Sequence, residues 1–127
     1  MTRADFDKLN DVVVESITLP VWGEVFVRSM SLKDQIAWEK SFSRKSGKGD
    51  VVIEAENDEV MCRHLTYTFC DKDGNLLFQP DEWERLSGRN TKIVKKLYEF
   101  SCKVSGIGKA GQEQAAKNSD SPAGDSD

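Results

Sequence analysis

The sequence has few of the residues that build redox, metal or catalytic centres. It contains one histidine, His64, and three cysteines, none of which forms a Cys-x-x-Cys pair. Three cysteines cannot all pair in one chain, so we expect Cys62, Cys70 and Cys102 to be buried thiols in a reducing compartment. His64 lies on the apolar side of a predicted helix, where a lone histidine is usually a core residue; otherwise it is an isolated candidate base without a visible nucleophile. The sequence therefore predicts no enzyme and no cofactor.

Long apolar runs and concentrated positive charge are also missing. No apolar run approaches the about 18 residues of a membrane-spanning helix. Acidic residues occupy the N-terminal stretch where a signal peptide has its apolar region. The net charge of the 127-residue chain is −4, whereas binding to a nucleic-acid backbone needs a concentrated basic face. We therefore expect a cytoplasmic protein that binds neither membranes nor nucleic acid.

Two strands are predicted near the N-terminus. Residues 12–19 and 24–30 are rich in β-branched and apolar side chains, and a turn at residues 20–23 separates them. Both faces of this hairpin carry apolar groups, so either a partner covers one face or helices cover both, and the second alternative is favoured. Residues 1–11 are polar and expected to be flexible, with Phe6 and Leu9 able to dock.

A helix begins after the hairpin. Ser31 is its predicted N-cap, with Asp34 as the acidic residue of a capping-box variant, and the helix extends to about residue 42. Trp38 lies toward its flank, as a core edge or a contact surface. A flexible loop at residues 43–49 follows, because this stretch holds two glycines and no apolar periodicity. The predicted apolar side of the helix consists of Leu32, Ile36, Ala37 and Phe42.

A second helix precedes a turn-rich junction. Asp50 can cap a helix that runs to about residue 70, although the acidic stretch inside it allows a restart at Asn57. A short helix then covers residues 81–86, with Asp81 as its predicted N-cap behind a proline.

The last helix and the tail complete the predicted organisation. Asn90 caps a helix over residues 91–104, which Gly106 helps to end. Residues 107–127 form a predicted disordered acidic tail, since from residue 109 onward no large apolar residue is present. Residues 12–106 are thus a single α+β domain, in which an N-terminal β-hairpin packs with about three to four α-helices.

The junction between the second and third helices allows two interpretations. Asp71, Asp73, Asn75 and Glu82 occupy positions 1, 3, 5 and 12 of an EF-hand calcium loop. Position 6 is Leu76, where that loop requires the flexible backbone of glycine. A tight turn followed by a helix start is therefore the favoured interpretation, and a small calcium-binding module is the alternative.

The order of these parts resembles the tail assembly chaperones of long-tailed, lambda-like bacteriophages. The resemblance covers about residues 12–106. It rests on Glu-Val-Phe-Val-Arg-Ser-Met at 24–30, on Ser-Leu-Lys-Asp at 31–34, and on Asp-Lys-Asp-Gly-Asn-Leu-Leu-Phe at 71–78 followed by Asp81. The acidic Asp-Gly turn before a helix start is its most specific part.

The resemblance implies a non-catalytic role in the host cytoplasm. Proteins of that family bind the long helical tape measure protein, keep it soluble, help tail tube subunits polymerise around it, and leave before the virion is complete. In many members a ribosomal frameshift makes an extended product that recruits the tail tube protein. Gly108-Lys109 is a dipeptide that a slippery sequence could encode.

A chaperone of this kind must cover apolar stripes on its partner, so surplus apolar side chains are candidate contacts. At least half of the candidates are expected to be ordinary core residues. Weak contacts along a long partner would also favour homo-oligomers. The candidate partner-binding residues are Trp22, Phe26, Met30, Trp38 and Phe42.

Overall fold

The protein has an α+β fold in which helices pack on a small antiparallel sheet. The computed structural model describes residues 1–45, 51–53 and 57–107. A 3₁₀ turn at Pro80–Glu82 leads into the fourth helix. In chain order the elements are α1 (Arg3–Asp7), β1 (Val14–Leu19), β2 (Gly23–Arg28), α2 (Leu32–Phe42), β3 (Ser43–Lys45), β4 (Val51–Ile53), α3 (Asn57–Thr66), β5 (Phe69–Cys70), α4 (Trp83–Ser87) and α5 (Thr91–Ser105).

The predicted hairpin is present as β1 and β2. The two strands pair antiparallel from Val14 opposite Arg28 to Leu19 opposite Gly23. Successive side chains in a strand point to opposite faces, so Leu19 and Val27 share one face of the sheet. These two side chains are 2 % and 0 % exposed, which identifies that face as the one turned toward the core.

A third strand, β5, pairs antiparallel with β2 and corrects the prediction of a helix over residues 50–70. Val27 lies opposite Phe69 in this pairing. The helix, α3, begins at Asn57 and ends at Thr66. Phe69 and Cys70 are buried and bonded to the sheet. Long-range pairing and burial thus end the helix earlier than its apolar periodicity predicts.

A second, two-stranded sheet lies between α2 and α3. β3 and β4 pair antiparallel from Ser43 opposite Ile53 to Lys45 opposite Val51. The prediction of a loop at 43–49 is therefore wrong for residues 43–45, and the prediction of helix is wrong for residues 51–53. The Val-Val-Ile sequence of β4 is β-branched throughout, which favours a strand. Residues 46–50 lie outside the described residues.

The second face of the three-stranded sheet lies opposite the core, and the expectation that helices cover this face as well stays a prediction. There the turn after β5 approaches the sheet. Arg28 Nη1 donates a hydrogen bond of 3.2 Å to the carbonyl oxygen of Gly74. Gly74 has φ = 87°, and an added Cβ would lie 3.3 Å from a methyl carbon of Val14. Glycine therefore suits both the backbone conformation and the close approach at this position.

The predicted boundaries of α5 are confirmed by its capping groups. The side chain of Asn90 accepts hydrogen bonds from the backbone N–H groups of Lys92 at 3.0 Å and Ile93 at 3.3 Å. Gly106 follows the helix in the left-handed conformation, with φ = 70°. Both signals act within one turn of the helix end, which explains why the sequence reveals them.

The core lies between the sheet, α3, α4 and α5. Phe78 and Trp83, which flank the start of the helical segment after the junction turn, pack on this core while remaining partly exposed. The three cysteines are buried and unpaired, as predicted. The buried apolar cluster consists of Leu19, Val27, Cys62, Leu65, Phe69, Leu86, Ile93, Val94 and Leu97.

The face of helix α2 that packs against the rest of the protein differs from the predicted apolar side. Ser31 caps it as predicted, since its hydroxyl accepts a hydrogen bond of 3.0 Å from the backbone N–H of Asp34. Trp38, placed on the flank by the sequence, is only 7 % exposed, whereas Leu32 and Ile36 are 73 % and 42 % exposed. The predicted apolar side is therefore wrong for Leu32, Ile36 and Ala37, which are all exposed. The larger aromatic side chain is buried instead.

The N-terminal arm, defined as residues 1–11, is exposed along its whole length. It contains α1, which a capping box opens: the hydroxyl of Thr2 accepts from the backbone N–H of Asp5 at 3.1 Å, and the carboxylate of Asp5 accepts from that of Thr2 at 3.0 Å. The flexibility of residues 1–11 stays a prediction. So does the disorder of residues 107–127, of which all but Ile107 lie outside the described residues. None of the helices in the described ranges has the length and apolar character needed to cross a bilayer.

Candidate partner-binding surfaces

Three of the five predicted partner-binding residues pack inside the protein or against its core. The indole of Trp38 donates a hydrogen bond of 2.9 Å to the carbonyl oxygen of Val60, which joins α2 to α3. Phe42 packs edge-on against Trp38, with ring centroids 5.2 Å apart. Trp22 is stacked parallel to Phe69 at 6.0 Å and packs on the core. Trp38 in particular is too deeply buried to contact a partner in this conformation.

Phe26 and Met30 remain partly exposed outside the buried cluster. Phe26 lies opposite Cys70, on the face of the sheet that is turned away from the core. Met30 lies just after β2, and its backbone N–H donates to the hydroxyl of Ser105 at 2.9 Å. Both side chains are available for contact with a partner, and Met30 lines a surface groove.

This groove, of about 440 Å³, lies between the start of β1, the end of β2 and the start of α2. The side chains of Val12 and Leu32 line it together with Met30, and Val12 is 46 % exposed. Ile36 lies one helical turn beyond Leu32, on the same side of α2. We call Val12, Met30, Leu32 and Ile36 the α2 surface. Three charged residues, Asp11, Arg28 and Asp34, also line the groove, and Arg28 Nη2 lies 3.8 Å from Asp34 Oδ2.

Sequence reasoning missed three of the four residues of the α2 surface. Helix α2 carries two apolar pairs with a spacing of four residues, Leu32 with Ile36 and Trp38 with Phe42. The first pair was assigned to the core and only the second was considered for contact with a partner. The spacing shows that two faces of the helix are apolar, but it does not show which face the rest of the chain covers.

A second groove, of about 290 Å³, lies between α3, α4 and α5, and we call it the helix groove. Arg89 and Lys95 place positive charge at its edge, and Asp58 contributes one negative charge. Its floor is apolar and includes Leu86 and Val94, which belong to the core cluster. The complete lining is Asp58, Met61, Cys62, Leu86, Ser87, Arg89, Thr91, Val94 and Lys95.

The junction forms a hydrogen-bonded turn around the carboxylate of Asp71. One oxygen accepts from the backbone N–H groups of Asp73 at 2.9 Å and Asn75 at 3.0 Å, and the other accepts from the side-chain amide of Asn75 at 3.4 Å. These hydrogen bonds, above all the one from the Asn75 N–H, lower the pKa of Asp71. The turn is thus closed by its own backbone donors.

Glu82, the fourth candidate calcium ligand, caps the 3₁₀ turn Pro80–Glu82 through its side chain. One of its oxygens accepts from the backbone N–H of Gln79 at 2.8 Å, and the other accepts from Arg85 at 3.2 Å. The predicted N-cap Asp81 is wrong, because the 3₁₀ turn begins at Pro80 and Gln79 is the capping residue. The described ranges contain no group of three or more histidine, cysteine, aspartate and glutamate residues that could hold a metal ion.

We expect calcium to leave the melting temperature of the protein unchanged. Asp71→Ala should lower that temperature by a few degrees, equally in calcium and in a chelator, because it removes the acceptor of the turn rather than a metal ligand. Differential scanning fluorimetry in both buffers measures this. A rise in melting temperature with calcium that the variant abolishes would restore the calcium alternative.

His64 belongs to a closed polar cluster between α2, α3 and α5. Its side chain is 0 % exposed, and its Nε2 lies 2.7 Å from the hydroxyl of Ser101, which in turn donates to Thr68 at 2.8 Å. The rings of Trp38 and Tyr98 meet it edge-on at 4.9 Å and 5.0 Å. Burial lowers the pKa of His64 to about 3. In this conformation the imidazole of His64 is not accessible to a substrate.

Comparison with known proteins supports the fold. No protein-family model matches the sequence, and no curated protein matches it. The structure is similar to that of the bacteriophage HK97 tail assembly chaperone, with a TM-score of 0.55 and 18 % sequence identity. The similarity covers 73 % of this chain and 85 % of that chain. The family resemblance predicted from the sequence is therefore confirmed at the level of the fold.

Proposed function

We propose that this protein is a non-catalytic tail assembly chaperone of a long-tailed bacteriophage. In this role it binds the tape measure protein in the host cytoplasm, keeps it soluble, and assists tail tube subunits in polymerising around it. The observation that carries the proposal is the similarity to the bacteriophage HK97 tail assembly chaperone, which extends over most of both chains. The enclosed position of His64 is consistent with a role that needs no catalysis.

The α2 surface is the proposed contact for the tape measure protein. A long helix that has not yet been enclosed by the tube exposes an apolar stripe, and such stripes bind in apolar grooves through residues at helical spacing. Leu32 and Ile36 present side chains one turn apart, and Met30 adds a flexible one that adapts to different partners. Because Leu32 is 73 % exposed, covering it gains apolar burial without disturbing the core.

Substitution of the α2 surface tests this contact. We expect the tagged protein to co-purify with the tape measure protein when the two are co-expressed, and to keep it in the soluble fraction. The double variant Leu32→Glu/Ile36→Glu should lose most of the bound partner, because two carboxylates would have to leave water in what is otherwise an apolar contact. Its own melting temperature should change little, since both positions are exposed.

Leu77→Glu is the matched control, because Leu77 is 49 % exposed and does not belong to the α2 surface. This variant should retain the partner as the wild type does. Retention of the partner by the double variant would move the contact to another surface. Failure of the wild type itself to bind or solubilise the tape measure protein would overturn the proposed function.

The recruitment of the tail tube protein is proposed to depend on a longer product. A ribosomal frameshift near Gly108-Lys109 would extend the chain beyond residues that the structure does not describe. Mass spectrometry of protein expressed from the natural gene tests this, since a second, heavier product sharing residues 1–107 is expected.

A further inference from the structure

An exposed face of α5 concentrates positive charge in a chain whose net charge is −4. Lys95 and Lys96 follow Lys92 by three and four residues, so the three side chains are neighbours on the helix surface. Arg89, three positions before Lys92, adds a fourth cation. All four residues are exposed, and we call them the α5 basic surface.

The charge of this surface is not neutralised within residues 1–45, 51–53 and 57–107. The arginines that form ion pairs there, Arg28, Arg63 and Arg85, lie outside the surface. Asp58 shares the helix groove with part of the surface and Glu99 follows on α5, so an excess of positive charge remains. Because like charges at a spacing of four residues destabilise a helix, an acidic ligand would stabilise α5.

An acidic ligand would contact the side chains of this surface rather than the end of the helix. The side chain of Asn90 already accepts hydrogen bonds from the backbone N–H groups of Lys92 and Ile93, at 3.0 Å and 3.3 Å. The ammonium and guanidinium groups are therefore the donors that remain for a carboxylate.

The end of the sequence supplies the opposite charge. Residues 118–127 contain Asp120, Asp125 and Asp127 and no basic residue. From residue 109 onward there is also no large apolar side chain. This segment can therefore bind the rest of the protein through charge and hydrogen bonds, but not by filling an apolar groove.

The length of the tail matches the distance to the α5 basic surface. The tail leaves α5 at its C-terminal end, and about 15–20 Å of helix separates Ser105 from Lys95 and Lys92 at a rise of 1.5 Å per residue. Asp120 follows Ile107 by 13 residues. A segment of 13–20 residues, if disordered as predicted, spans about 20–25 Å on average. The aspartates can therefore reach the surface of the same molecule without extending the chain fully.

The α2 surface lies closer to the start of the tail but does not suit it. Met30 is bonded to Ser105, at the end of α5 from which the tail continues. The groove beside Met30 is lined by Asp11 and Asp34 together with one cation, Arg28. An acidic segment without large apolar residues would meet like charge there and leave the apolar side chains uncovered.

We propose that residues 118–127 bind the α5 basic surface of the same molecule, with their three aspartates among its four cations. Exposed ion pairs are individually weak. The tail is tied to α5, however, so its effective concentration at the surface is on the order of millimolar. Any acidic partner that binds this surface must first displace the tail. This contact does not depend on the proposed chaperone function.

The experiment measures the distance between tail and surface by nuclear magnetic resonance on the full chain. A nitroxide spin label is attached to the variant Ser126→Cys; the native thiols are buried, so the new cysteine is the one that reacts. In about 0.02 M salt, the label should remove more than half of the intensity of the backbone amide signals of Lys92, Lys95 and Lys96. Signals at the tip of the hairpin, around Val21, should keep their intensity. In about 1 M salt, where the Debye length is about 3 Å, the α5 signals should recover.

Charge variants of the labelled chain identify the groups that make the contact. Asp120→Asn/Asp125→Asn/Asp127→Asn in the tail should restore the α5 signals in low salt. Lys92→Glu/Lys96→Glu should restore them as well. Both lysines are exposed, so the variant should fold, and unchanged signals of the buried residue Leu97 verify this in the same spectrum.

The matched controls change the same charges elsewhere. Lys33→Glu/Lys40→Glu alters the net charge as the surface variant does, at exposed positions of α2. Asp7→Asn/Asp11→Asn/Asp81→Asn removes three exposed carboxylates outside the tail. Both control variants should keep the loss of the α5 signals.

Four results would overturn the proposal. The first is an α5 face that keeps full intensity in low salt. The second is a loss that persists when the tail aspartates or the α5 lysines are replaced. The third is a loss confined to Arg44, Lys45 and Lys48, the other basic cluster of the sequence. The fourth is an equal loss in an isotope-labelled chain without nitroxide that is mixed with unlabelled, nitroxide-bearing chain, which would show contact between molecules.

Discussion

Replacing Trp38 by alanine should lower the free energy of unfolding by about 3–5 kcal/mol, the usual cost of removing a large buried aromatic side chain. Trp38 is 7 % exposed and forms the centre of the contact between α2 and α3. Its indole N–H is bonded to the Val60 carbonyl, and its ring contacts Phe42 and His64. Truncation would leave both a cavity and a buried carbonyl without its donor.

Urea unfolding followed by circular dichroism measures this loss. Leu32→Ala is the matched control on the same helix, and it should change the free energy of unfolding by no more than about 0.5 kcal/mol because Leu32 is exposed. A Trp38→Ala protein as stable as the wild type would contradict the structure, and would return Trp38 to the residues available for contact with a partner.

Acid should destabilise the protein through His64 well before most carboxylates titrate. Burial lowers the pKa of His64 to about 3 in the folded state, whereas an unfolded histidine has a pKa near 6.5. Below pH 6.5 the unfolded chain therefore binds a proton that the folded chain does not, and folding loses about 1.4 kcal/mol per pH unit. Between pH 7.5 and pH 4.5 the free energy of unfolding should fall by roughly 3 kcal/mol from this residue alone.

The double variant His64→Leu/Ser101→Ala should remove this acid dependence. It replaces both partners of the 2.7 Å contact, and the hydroxyl of Thr68 keeps an acceptor in the carbonyl of residue 64, at 3.4 Å. Its free energy of unfolding should be nearly flat between pH 7.5 and pH 4.5.

Nuclear magnetic resonance gives an independent measurement, because the chain has a single histidine and its ring signals cannot be confused with others. Those signals should show no titration between pH 7.5 and pH 4.5 in the folded protein. Titration near pH 6.5, or equal acid sensitivity in the wild type and the double variant, would show that the imidazole is accessible to solvent.

The candidate surfaces could be predicted from the sequence only in part. Phe26 and Met30 were identified as surplus apolar residues of the hairpin, and both remain partly exposed outside the core. Leu32 was wrongly assigned to the apolar side that faces the core, and Trp38 was left open as a core edge or a contact surface. Both residues lie on α2 at positions compatible with an apolar face. Which of them is buried depends on α3, which supplies the Val60 carbonyl and the ring of His64 that contact Trp38.

The partner of His64 was also hidden from the sequence. Ser101 lies 37 positions further along the chain and has no motif to mark it. Its position is recognisable only once α5 packs beside α3. The same packing buries the cluster, so the contact between His64 and Ser101 is not accessible to a substrate in this conformation.

Local features were determined by the sequence itself. The caps at Ser31 and Asn90, the end of α5 at Gly106 and the acidic turn at Asp71 all depend on residues within a few positions of one another. Their hydrogen bonds and backbone conformations form within a single turn of chain, so composition and spacing are enough to reveal them.

The tertiary structure decided everything that depends on distant segments. It ended α3 at Thr66, and Phe69 pairs with β2 in the sheet and is buried there. It also placed the aromatic face of α2 against the core. Trp38 buries a larger apolar side chain than Leu32 would, and its indole N–H donates a hydrogen bond to a backbone carbonyl of α3. The periodicity of the sequence shows which faces of a helix are apolar. Which of these faces stays exposed to solvent depends on the segments that the fold packs against the helix.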